Sequence, residues 1–168
     1  MNPKAKGSAF ERELCKRLSL WISYGKRDDL LWRSSMSGGR ATVNAKKGKG
    51  LSHAAGDICA IHPEGAWLTD TFFIEAKHYK DPAWHKFFLT SSGPIQDFWT
   101  KVVEQSAEHK KKPLLIVRQN MYPTQVVVSS KQVRKLSSIG DHIIIKHRFL
   151  HVITFESLLK IDPKELLT

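Results

Sequence analysis

The amino-acid sequence predicts an α/β fold, a mixed β-sheet flanked by α-helices, and three observations carry that expectation. Two amphipathic helical patterns stand well apart, one over residues 8–22 and one over residues 94–109. Short apolar runs of strand length lie between and after them. The resulting order of helix, strands, helix, strand, strand argues for helices layered on a sheet. With 168 residues and 41% hydrophobic content, the chain can build one core, so a single domain over residues 1–168 is expected.

The first helix rests on Phe10, Leu14, Leu18 and Trp21, which recur at intervals of three and four. Ser8 is placed as its N-cap, and Glu11, three residues on, would complete a capping box. Leu30-Leu31-Trp32-Arg33-Ser34 reads as a short strand, and further strands are expected near residues 57–61 and 71–77. Pro63-Glu64-Gly65 between the last two is read as a turn, which favours a hairpin. Residues 81–93 form an aromatic segment read as irregular. Pro94 suits a first helical turn, and Ile95, Phe98, Trp99 and Val102 share one face of the helix that follows. Leu114-Leu115-Ile116-Val117 and Gln125-Val126-Val127-Val128 read as buried strands. Residues 131–136 suggest a short helix, and residues 142–146 and 149–154 a last strand pair. Thr154 caps a C-terminal helix through Glu156-Ser157-Leu158-Leu159, and Asp162-Pro163 begins another turn.

The charge balance narrows the partners. Twenty-seven Lys and Arg against 16 Asp and Glu give a formal net charge of +11, the footprint of a polyanion binder. Nucleic acid leads; an anionic membrane surface is weaker, because the basic residues form no amphipathic membrane helix. No acidic residue lies between Asp29 and Asp57, whereas Arg33, Arg40, Lys46, Lys47 and Lys49 do. That glycine-containing stretch is read as a loop able to follow a phosphate backbone, or else as a solvated loop that aids solubility. Cys15 and Cys59 are far apart in sequence and suggest neither a disulfide framework nor a zinc knuckle. The eight histidines show no metal-binding spacing. No stretch approaches membrane-spanning length and the polar start has no signal-peptide core, so an intracellular chain is expected.

Chemistry concentrates at the end of the apolar run Thr71-Phe72-Phe73-Ile74, in Glu75-Ala76-Lys77. Side chains alternate along a strand, so Glu75 and Lys77 share one face and Ala76 takes the other. Upstream, Gly56-Asp57 opens another strand-like run. Breaking a phosphodiester requires an activated water, neutralisation of phosphate charge and help for the leaving oxygen, which hard cations held by carboxylates supply. Asp57 and Glu75 are the natural ligands for Mg2+, with the Ala76 carbonyl as a further oxygen. Lys77 would either orient the attacking water or stabilise developing negative charge. At 100° per residue, Glu11 lies roughly 60° from the centre of the first helix's apolar stripe and could reach a sheet edge. Glu13, about 100° away on the other side, is read as solvated. Taken alone, Glu75 and Lys77 are most simply read as a structural ion pair, and the full order of acids in a basic chain is what favours a catalytic site.

The sequence resembles the PD-(D/E)XK nuclease superfamily, and within it the archaeal-type Holliday junction resolvases. Lys6-Gly7-Ser8-Ala9-Phe10-Glu11-Arg12-Glu13-Leu14 is similar to that family's K-G-x-x-x-E-R-E-L opening. Trp32-Arg33-Ser34-Ser35, Asp57-Ile58 and Ile74-Glu75-Ala76-Lys77 continue the likeness over about the first 80 residues. The resemblance implies a restriction-endonuclease-like mixed sheet and a metal role for Glu11, Asp57 and Glu75. It implies catalysis by Lys77 and phosphate contacts from Arg12 and Arg33. It further implies a homodimer that cuts symmetric strands of a four-way DNA junction with Mg2+, Mn2+ being able to substitute. Gly56 departs from the family pattern, in which Pro often precedes the Asp, and residues 35–55 are long for the family. Residues 81–93 also depart; Trp84, Phe87 and Phe88 there would either stack on unpaired bases or form a dimer interface or hydrophobic flap. Two other functions remain open, a related restriction, repair or flap nuclease and a non-catalytic basic nucleic-acid-binding module. The location compatible with these readings is cytoplasmic or nucleoid-associated, and a virus-encoded chain fits them.

Overall fold

The computed structural model describes residues 3–34, 55–129, 142–145 and 149–167. Its chain divides into two compact units, Met1–Ala76 and Lys77–Thr168. The basic residues Arg40, Lys46, Lys47 and Lys49, and the helix expected over residues 131–136, lie outside the described residues.

The first unit opens with helix α1 (Pro3–Ile22), five residues earlier than the sequence suggested. Pro3 suits the first turn, and Lys4, Ala5 and Lys6 are strong helix formers that carry the helix across Gly7. Ser8 is therefore interior rather than an N-cap, and Glu11 does not serve a capping box. The apolar stripe is as expected, with Phe10, Leu14, Leu18 and Trp21 all buried. Ser19, fully buried, ties the helix to the next strand. Its hydroxyl donates to the Cys15 carbonyl (2.7 Å) and accepts from the Leu31 N–H (3.0 Å). Strand β1 (Leu31–Arg33) pairs antiparallel with β2 (Ile58–Ala60), Arg33 opposite Ile58 and Trp32 opposite Cys59.

Between β2 and the following strand the expected hairpin is absent. Pro63-Glu64-Gly65 instead begins helix α2 (Pro63–Thr71). Pro63 occupies the first turn, and the His62 ring Nδ1 caps it by accepting from the Glu64 N–H (3.3 Å). Gly65 serves packing rather than a turn, since a Cβ there would stand 2.9 Å from the Leu30 carbonyl oxygen. A helical crossover permits parallel neighbours where a tight turn would not. Accordingly Gly56 forms a parallel bridge with Ile74 of strand β3 (Phe72–Tyr79). Glu75 thus lies within the strand and not at its end.

The boundary between the units falls inside β3, after Ala76. In the second unit, residues 81–93 are more regular than expected. Helix α3 (Trp84–Thr90) is bounded by Ala83 and Ser91, both in the left-handed region, and buries Phe87. Helix α4 (Pro94–Glu108) buries Ile95, Trp99 and Val102. Strands β4 (Lys112–Gln119), β5 (Gln125–Ser129), β6 (His142–Ile145) and β7 (Leu150–Thr154) complete a five-stranded sheet of order β3-β4-β5-β7-β6. The pairs β4–β5, β5–β7 and β6–β7 are antiparallel. Leu114 to Val117 on β4 and Val126 to Val128 on β5 are fully buried, as continuous apolar runs require of central strands. The Thr154 hydroxyl accepts from the Ser157 N–H (3.0 Å) and caps helix α5 (Phe155–Leu159), and a 3-10 turn covers Pro163–Leu167.

Candidate active site

The acidic residues of the first unit are placed by backbone pairing before any side chain is considered. The Asp57 N–H donates to the Ile74 carbonyl (2.8 Å), and the Asp57 carbonyl accepts from the Ser34 N–H (2.8 Å). These two bonds hold Asp57 between the end of β1 and the middle of β3. Gly56 makes the approach possible: it sits at φ +91°, and a Cβ there would lie 2.6 Å from the Ile74 carbonyl oxygen. Proline, locked near φ −65°, cannot occupy this position, so the departure from the superfamily pattern is a geometric requirement of this chain.

The side chain of Asp57, only 8% exposed, reaches β3. Its Oδ2 accepts from the Ala76 N–H at 2.9 Å. A carboxylate thus takes a strand N–H that a ladder partner would otherwise take, in the middle of Glu75-Ala76-Lys77. Along β3, Ala76 is buried while Glu75 and Lys77 are both half-buried, the alternation expected of a strand. Lys77 Nζ stands 5.8 Å from the centre of the Phe98 ring of α4, a cation–π contact that no sequence spacing could have announced.

Glu11 has a partner of its own. Arg33 Nε donates to Glu11 Oε2 at 3.0 Å, joining α1 to β1, with the carboxylate side chain 13% and the guanidinium 31% exposed. Glu13 and Arg12 are exposed. Two residues predicted for separate tasks, metal binding and phosphate contact, are therefore joined to each other. Among the described residues, no three carboxylate, imidazole or thiolate side chains stand together so as to hold a metal ion. Asp57 is brought to Ala76, and Glu11 to Arg33.

Cys15 stands close enough to this region for its ionisation to feel Glu11, Arg33 and Cys59. Burial first, then the charges of Cys59 and Glu11, push its thiol up to about 12 from an ordinary 9.0, and Arg33 only partly opposes them. Burial likewise raises Cys59. Cys15 is therefore a core thiol and no nucleophile: it is buried, and burial disfavours the thiolate that would react. Native protein at pH 8 is expected to leave Cys15 unalkylated by iodoacetamide for hours, with labelling only in denaturant. Peptide mapping that finds rapid native labelling at Cys15 would refute the buried placement.

Helices flanking a mixed sheet, with an acid set by a parallel bridge onto a strand carrying Glu-x-Lys, define a restriction-endonuclease-like PD-(D/E)XK nuclease fold. The chain belongs to the family described as "Phage putative PDDEXK endonuclease", whose model matches residues 2–168. The match supports a nuclease of this superfamily, with DNA as substrate and divalent metal as the general requirement of such enzymes; it does not single out the archaeal resolvases. Comparison with curated proteins and with solved structures returned no match. Among the described residues no helix is long and apolar enough to cross a membrane.

Proposed function

We propose that this chain is a Mg2+-dependent endodeoxyribonuclease acting on branched DNA, with the four-way junction as its substrate. One observation carries the catalytic part: the Asp57 carboxylate is fixed to the Ala76 N–H, against the centre of Glu75-Ala76-Lys77. The donor set suits a hard cation, because Asp57, Glu75 and the Ala76 carbonyl offer only oxygen. These groups would hold the ion, with Glu11 as the further carboxylate, and Mn2+ would substitute on the same donors. When bound, the ion supplies Lewis-acid polarisation of the phosphate and lowers the pKa of water.

The protein's own groups do the rest. Lys77, on the Glu75 side of β3, neutralises charge developing on the phosphate, and the Phe98 ring steadies its ammonium. Arg33 balances the half-buried Glu11 charge and turns to the phosphate when DNA arrives. Arg12, Arg40, Lys46, Lys47 and Lys49 contact the backbone beyond the scissile bond, which makes binding steeply salt-dependent. The four-way junction, and the homodimer that would cut it symmetrically in recombination or repair, are supported by the likeness at Lys6-Gly7-Ser8-Ala9-Phe10-Glu11-Arg12-Glu13-Leu14. The phage family fits a virus-encoded protein working inside its host cell.

The test is cleavage of a four-way junction against a linear duplex of the same sequence, with Mg2+ and with EDTA. Paired, symmetric cuts in the junction at a rate at least about tenfold above the duplex are expected, and none in EDTA. Equal rates would leave the nuclease and remove the junction. Cutting that persists in EDTA would remove the metal.

A further inference from the structure

The second unit contains a pocket of about 380 Å³ that the proposed chemistry does not use. Its size falls at the small end of ligand sites, about 300–1,000 Å³. Four aromatic side chains line it: Trp84, His85 and Phe88 from α3, and Tyr122 from the β4–β5 turn. Trp84 and Phe88 are stacked with ring centres 5.6 Å apart and planes inclined by 18°. Phe87 belongs to the core, fully buried behind them, which separates it from the lining residues with which the sequence grouped it.

Polar groups share the lining with these rings. Gln119 and Gln125 each carry a donor and an acceptor, and Asp81 is an acceptor oriented by its Oδ1 bond to the Ala83 N–H (2.9 Å). Among the described residues no Lys or Arg lines the pocket, and Asp81 would repel a phosphate. Lys80 and Lys86, next in sequence to lining residues, are exposed. Aromatic faces, amide edges and the Asp81 carboxylate suit a flat, neutral heteroaromatic ring whose phosphate stays outside.

We infer that this pocket takes an unpaired nucleobase of the DNA substrate. Within a duplex both faces of a base are covered by its neighbours, so only an extrahelical, single-stranded or branch-point base can lay a face on these side-chain rings. The pocket thereby selects DNA that offers such a base, and the inference rests on the DNA-directed reading of the chain. It deepens that reading by naming what the protein recognises in a branched substrate.

The experiment measures binding in EDTA, where no cleavage is needed, by fluorescence anisotropy on a blunt duplex and on the same duplex with one bulged nucleotide. Wild-type protein is expected to prefer the bulged DNA about tenfold or more. Tyr122→Ala removes that preference while changing blunt-duplex affinity less than about twofold, and Tyr122→Phe retains it. Tyr122 is 64% exposed, so its truncation leaves the core intact; Phe88→Ala provides a second reading of the same loss. Equal wild-type affinity for the two DNAs overturns the inference. So does a Tyr122→Ala variant that loses both affinities alike, or one that keeps the preference but converts a dimer to monomer in sedimentation, which would make the pocket an interface between copies. A failed Asp57 prediction would remove the proposed nuclease site and leave this binding result standing, so the two can be told apart.

Discussion

Asp57→Asn is expected to abolish cleavage in Mg2+, by at least about a hundredfold, while the protein melts near its wild-type temperature and still binds DNA. Losing one carboxylate from a cation site removes several kcal/mol of charge stabilisation, and each ~1.4 kcal/mol is a factor of ten in rate. The fold survives because an asparagine carbonyl can still accept from the Ala76 N–H, which the Asp57 Oδ2 holds at 2.9 Å. Asp57→Ala separates the two roles. It leaves that buried N–H without its acceptor and costs about 1–3 kcal/mol of stability on top of the lost activity. Glu75→Gln, at a half-buried position on the same strand, is expected to lose cleavage to a similar degree with no change in melting. A four-way junction cut at the normal rate by Asp57→Asn or Glu75→Gln would end the assignment of the site. An Asp57→Ala protein as stable as Asp57→Asn would show that the hydrogen bond is not what positions the acid.

Gly56→Ala is expected to destabilise the protein by about 3 kcal/mol or more and to lower its melting temperature by about 10 °C. Two costs add at this position. A residue with a Cβ at φ +91° is strained, and the Cβ would meet the Ile74 carbonyl oxygen at 2.6 Å and the Ile74 nitrogen at 3.1 Å. Both contacts are backbone, which cannot rotate aside as a side chain could. Relief requires separating Gly56 from β3, which also pulls on the Asp57 N–H to Ile74 bond and moves the Asp57 carboxylate. Cleavage should therefore fall even below the melting temperature, because catalytic groups displaced by about an ångström lose rate steeply. Gly25, also at positive φ but with open space around it, supplies the control: its alanine variant bears only the backbone strain. Equal destabilisation at the two glycines would refute the close approach at Gly56.

The elements were legible where periodicity was strong and flanks were plain. The stripe of α1, the apolar faces of α4 and the continuous runs of β4 and β5 follow directly from residue spacing. Reading failed where one residue type serves two purposes. Pro63 and Gly65 are turn residues by composition, yet Pro63 starts a helix and Gly65 lets that helix approach Leu30. Ser8 and Glu11 carry a capping-box spacing, but good helix formers upstream move the true start to Pro3 and leave the spacing without a role. The aromatic segment hid helix α3, because Ala83 and Ser91 bound it from left-handed conformations that sequence preferences do not assign to them.

The sequence by itself determined which way the candidate residues face along their own elements. Alternation along an apolar strand puts Glu75 and Lys77 on one side and Ala76 on the other, and helical periodicity sets Glu11 beside the buried stripe while leaving Glu13 outside. Both follow from bond geometry within a single element. Only the tertiary structure decided what each side chain meets. That Asp57 bonds Ala76, Arg33 bonds Glu11, and Gly56 lies parallel to Ile74 depends on which elements pack together. A helical crossover replaced the expected hairpin and reversed the direction in which Asp57 approaches β3. Periodicity fixes a face but not a neighbour, because neighbours are chosen by packing energies summed over residues distant in the chain.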